Sequence, residues 1–132
     1  MREHLERRTL SRDVVDRLHD FGVYLAGAKF EMRDGNEVCV DADFSTKARP
    51  LIAVLEIPPG TKIGAVRLRG PHETNLRTPS SADLVPIRIW GDRLPDISGS
   101  PLSVGCSVSV STSGIVVTTP SDVICDVFII HW

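Results

Sequence analysis

The most regular pattern in the chain lies at residues 102–111. Leu102, Val104, Cys106, Val108 and Val110 alternate with Ser103, Gly105, Ser107, Ser109 and Ser111. A period of two predicts a strand, here with one apolar face and one face of small neutral groups. No charged residue lies between Ile97 and Ser121. Strands that face water ordinarily carry charges that discourage edge pairing. A face of hydroxyls and bare backbone suits close approach by another surface instead. Ser103, Ser107, Ser109 and Ser111 are therefore the expected contact residues.

The N-terminal pattern is helical. Ser11 suits the N-cap, Asp13 the first turn, and Gly22 the end of the helix. Val14, Leu18 and Phe21 fall at i, i+4 and i+7 and form a narrow apolar stripe. Residues 1–22 are thus expected to form an N-terminal arm and amphipathic helix, and residues 23–132 a β domain. A hairpin is expected around Asp34-Gly35-Asn36. A three-residue loop there sets Met32 opposite Val38 and keeps Glu37 off the apolar face. The runs 51–57, 63–69, 84–90, 115–119 and 123–132 read as strands. Pro86 marks an edge or a bulge, and 70–83 and 91–101 read as long loops. The last run is apolar on both faces except at Asp126, so both of its faces are expected to be covered. Its final residue, Trp132, is expected to be buried.

These segments predict an all-β protein: a single β-sandwich or jelly-roll-like domain of seven to eight mainly antiparallel strands, with one short N-terminal α-helix. Spacing does not alternate between strand and helix, and no internal repeat is visible.

Composition narrows the function. The chain has 132 residues, 42% hydrophobic and 24% charged, with a formal net charge of −2. One domain with a real core fits that size. The charge favours neither a nucleic-acid partner nor a membrane surface. The charged N-terminus lacks the apolar stretch of a secretion signal, so synthesis in the cytoplasm is expected. Cys39, Cys106 and Cys125 are an odd number without metal-ligand spacing, so buried free thiols are expected, with no metal and no cofactor.

No catalytic constellation stands out, and an enzyme is not expected. The histidines lack ligand spacing, and no Gly-x-Ser-x-Gly or phosphate-binding glycine loop is present. Asp41 and Asp43 share one face of a strand end and read as solvated acids. Arginine outnumbers lysine twelve to three. Arg67, Arg69 and Arg88 lie on predicted strands, and arginine suits protein interfaces. Arg67 and Arg69 join the serines as expected contact residues.

The function that these features suggest is structural. A compact β protein with a neutral contact face would act by self-association and by contacts with other structural subunits. Virion components such as phage head-decoration, tail or collar proteins have this architecture, which is an analogy of form. The alternative is a carbohydrate-binding-like module reading its ligand through the 70–83 loop, with His72 and Trp90 as binding residues.

Overall fold

The C-terminal run, apolar on both faces, lies at the centre of the fold. The computed structural model describes residues 5–33, 35–76, 81–110 and 115–132. In chain order these form β1 (Leu5–Thr9), α1 (Arg12–Ala26), β2 (Phe30–Arg33), β3 (Asn36–Cys39), α2 (Phe44–Val54) and β4 (Lys62–Arg69). There follow β5 (His72–Leu76), β6 (Ala82–Trp90), β7 (Asp96–Ile97), β8 (Ser100–Pro101), β9 (Cys106–Val110), β10 (Ile115–Thr119) and β11 (Ile124–His131). One sheet has the order β1-β9-β6-β11-β4-β3-β2, and a second the order β5-β10-β7-β8. Every described pairing is antiparallel. The protein is β-rich, with two antiparallel sheets and two helices among the described residues.

Both faces of β11 are buried, as its pattern requires. Cys125, Val127 and Ile129 share a core with Leu68 and Leu84, and with Ile97 and Val117 of the second sheet. Phe128 and Ile130 point the other way, into a core with Leu18, Phe21 and Leu25 of α1 and Ala48 and Leu51 of α2. The large sheet thus lies between the small sheet and the helices. Each such side chain contributes on the order of 1.5–3 kcal/mol by leaving water.

The first helix starts as its sequence predicts. The Ser11 side chain accepts from the Val14 backbone N–H at 3.4 Å. Its end differs, because α1 runs through Gly22 to Ala26 and Gly27 is the C-cap. Gly22 is buried for a packing reason: a β-carbon there would stand 2.7 Å from Cδ of Arg88. Glycine admits the arginine stem that crosses the helix at this point.

The second helix corrects the reading of 51–57 as a strand. Phe44, Ala48, Leu51 and Leu55 recur at helical spacing and face the core or its margin. Pro50 lies inside α2 on its exposed side, where the missing backbone donor disturbs no core contact. The hairpin register is also corrected. Arg33 pairs with Asn36 and Met32 with Glu37, so the connection has two residues, with Gly35 at φ +82°. A carboxylate beside Met32 costs little because that end of the sheet is open to solvent.

Among the described residues, eleven strands replace the expected seven or eight. The charged N-terminal segment supplies β1, and the two supposed loops hold β5, β7 and β8. Pro86 sits in an interior strand, opposite Val127 where the register between β6 and β11 shifts, so the bulge is realised and the edge is not. Trp132 is 46% exposed rather than buried.

Candidate functional site

The neutral ribbon is shorter than its alternation suggests. Gly105 turns the chain at φ +96° and leaves Val104 exposed, so β9 holds only residues 106–110. Ser103 precedes the strand, half-buried, 3.5 Å from Nη2 of Arg7. Ser107 is 5% exposed within the single chain, opposite Arg8 of β1. The Ser109 hydroxyl donates to Oδ1 of Asp83 on β6 at 2.6 Å. Ser111 lies outside the described residues. The missing charges are therefore supplied by β1 and β6 on either side, and this chain itself covers Ser107.

The arginines meet elsewhere, on the helix-facing side of the large sheet. Register aligns Arg67 and Arg88 on opposite sides of Asp126, and Arg69 and Trp90 on opposite sides of Ile124. In the first row, Asp126 is wholly buried. Nε and Nη2 of Arg67 donate to its two carboxylate oxygens at 2.7 and 3.0 Å. This bidentate pairing holds the guanidinium above its ordinary pKa, the bond to Asp126 outweighing burial. The same Nη2 donates to the Leu25 carbonyl at 3.2 Å, and Nη1 of Arg88 donates to that of Gly22 at 3.2 Å. Two sheet arginines thus reach carbonyls in the C-terminal half of α1, where the helix dipole favours cations. Arg67 also stacks over Phe30, 4.1 Å from the ring centroid.

The second row lies past the C-terminus of α1. Trp90, Ile124, Arg69, Arg67 and Ala26 line an open groove of about 340 Å³. Trp90 is 37% exposed, and Arg88 stacks on its ring at 4.6 Å. Nε of Arg69 donates to Oε2 of Glu37 at 2.5 Å, and half of the Arg69 side chain faces solvent. The groove thus offers an indole, an aliphatic surface and a guanidinium side by side. Sequence reading named Arg67 and Arg69 for one function and Trp90 for another, and the sheet register joins all three.

His72 is not in that groove. It stands on β5 in a separate hollow of about 280 Å³ with Met32, Asn36, Glu37 and Pro71, and Arg69 lines both. Asp41 and Asp43 form a turn rather than a free acidic pair. Asp41 accepts the backbone N–H groups of Asp43 and Lys29, each at 3.0 Å, and these bonds lower its pKa. No group of three metal-ligating side chains is found among the described residues. The thiols of Cys39, Cys106 and Cys125 are free, and burial pushes Cys125 up to about 12. Tyr24 packs on Phe21, centroids 5.6 Å apart, and burial raises its phenol. Among the described residues, no helix is long and apolar enough to cross a membrane.

Compared with known proteins, the chain matches no family model and no curated protein.

Proposed function

We propose that this protein is a non-enzymatic structural component acting through protein–protein contacts, with itself and with other structural subunits. A virion role, of the head-decoration, tail or collar kind, is the setting that fits the proposal. The proposed class is a sandwich-type scaffold, supported by the core that the two sheets share, with helices against the outer face of the larger one. One observation carries the contact reading: the row Trp90–Ile124–Arg69 lies in an open groove beyond α1. Tryptophan and arginine beside an apolar floor are the residue types that dominate protein interfaces. The acidic groups nearby serve in structural bonds, Asp126 to Arg67 and Glu37 to Arg69. The serine ribbon does not support the reading, because Ser107 is covered within the chain.

Light scattering on the eluting protein tests the proposal, with a defined oligomer as the expected result. Trp90→Ala should weaken association by about 30-fold, which is the size of a hot-spot loss of ~2 kcal/mol. A monomer at every concentration, combined with a glycan-array signal that Trp90→Ala abolishes, would replace this reading with the carbohydrate-binding one.

A further inference from the structure

The large sheet ends in two unequal edges. At one end β1 carries Glu6, Arg7 and Arg8 in succession. At the other, β2 reads Phe30-Glu31-Met32-Arg33, and its last three residues are exposed. Met32 is 68% exposed, the most accessible large apolar side chain described. Opposite charges stand side by side on one face of this edge: Nη2 of Arg33 lies 3.3 Å from Oε2 of Glu31.

We infer that β2 is a self-pairing edge, to which a second copy of this chain adds its own β2 antiparallel about a two-fold axis at Met32. The inference rests on the assembly reading and names its partner. Three features of the strand carry it. A two-fold axis normal to the sheet keeps the helix faces of both copies on one side, so opposed residues must share a face, and only every second register is open. Centring on Met32 sets Glu31 opposite Arg33 of the other copy twice and Met32 opposite Met32. Centring on Glu31 sets that carboxylate against its own copy, and centring on Arg33 does the same with guanidinium groups. Of the registers centred on the three exposed residues, only that at Met32 is charge-complementary; centring on Phe30 pairs Lys29 with Glu31 but runs Met32 and Arg33 past the start of the strand.

The backbone agrees with that register. In a two-residue hairpin, the residues flanking the turn exchange hydrogen bonds, here Arg33 and Asn36. The next residue, Met32, then points its N–H and C=O away from β3. Two such residues facing each other form a hydrogen-bonded pair at the two-fold axis. The far edge is less well matched. Centring β1 on Arg7 sets Glu6 opposite Arg8 twice but opposes two arginines at the axis itself, and centring on Glu6 or Arg8 opposes like charges there. Self-pairing by β2 makes one continuous sheet across two chains, closed by symmetry rather than open-ended. Four residues of edge are fewer than a stable interface uses, so the dimer is concentration-dependent.

Sedimentation velocity on the full chain, in low salt and up to millimolar concentration, tests this. The wild type should show a concentration-dependent dimer. Glu31→Arg sets like charges opposite Arg33 and should raise the dissociation constant at least about tenfold, since two cross-strand attractions become repulsions. The exchange Glu31→Arg with Arg33→Glu rebuilds the same complementarity and should restore wild-type association to within about threefold. Both positions are exposed, so neither change threatens the fold. A wild-type oligomer that ignores the single reversal overturns the β2 edge and leaves the assembly reading standing. Failure of the exchange to restore association also overturns it. A wild-type monomer throughout overturns both.

Discussion

Replacing Asp126 by alanine removes the one acid buried at the centre of the large sheet. The carboxylate is 0% exposed and takes two bonds from Arg67, at 2.7 and 3.0 Å. Only 14% of the Arg67 side chain reaches solvent. Without its partner, the guanidinium keeps the Leu25 carbonyl at 3.2 Å and the Phe30 ring at 4.1 Å, neither of which carries a full charge. Breaking a buried pair by removing one member costs about 3–5 kcal/mol. Domains are stable by about 5–15 kcal/mol in total, so about a fifth or more of the stability is at stake. The melting point should fall by about 10–20 °C. Arg67→Ala should cost a similar amount, because it strands the carboxylate instead. Asp126→Leu with Arg67→Met replaces both charges by apolar groups and should return close to wild type, since the attraction mainly offsets desolvation. Urea denaturation of wild type, the two alanine variants and the alanine double variant closes a double-mutant cycle, with the Leu/Met pair measured beside it. A single-variant cost under about 1 kcal/mol, or costs that simply add in the double variant, would refute the described burial.

Two further outcomes follow from the same coordinates. Ser107→Arg should destabilise the monomer by about 3 kcal/mol or more, because a charge would enter a site that is 5% exposed. A variant that melts like wild type, by circular dichroism, would contradict this. The second concerns His131, whose pKa is lowered by burial first and then by the Lys62 charge paired across from it. The folded chain therefore binds fewer protons than the unfolded chain near and below about pH 6.5. This contribution is complete above that value and lost on acidification. His131→Gln should flatten the fall in melting temperature between neutral and mildly acid pH, and an unchanged slope would exclude the histidine as its source.

Much of the local structure was legible. The Ser11 cap, the Val14–Leu18–Phe21 stripe and the two-faced apolar C-terminal run each recur in the structure, because each depends on neighbours in sequence. The run 51–57 was ambiguous in kind: a short continuous apolar stretch suits a covered strand or one flank of a helix. The helical spacing from Phe44 was the usable signal, and Pro50 obscured it. Gly22 looked like a terminator because nothing nearby announced the Arg88 stem that crosses it. The candidate groove was legible residue by residue and not as a whole. Trp90, Arg69 and Ile124 come from three strands, and their adjacency exists only once β4 and β6 take their register on β11.

Sequence alone determined where the first helix starts, which of its faces is apolar, and that the C-terminal strand is covered on both faces. These follow from periodicity and composition, which act over a few residues. Tertiary structure alone decided what lies over the serine ribbon and which acid answers Arg67. A neutral strand looks the same whether its cover comes from a neighbouring strand of the same chain or from another molecule. The choice is made by pairings between residues a hundred positions apart, such as Ser107 with Arg8, and local pattern carries no information about them.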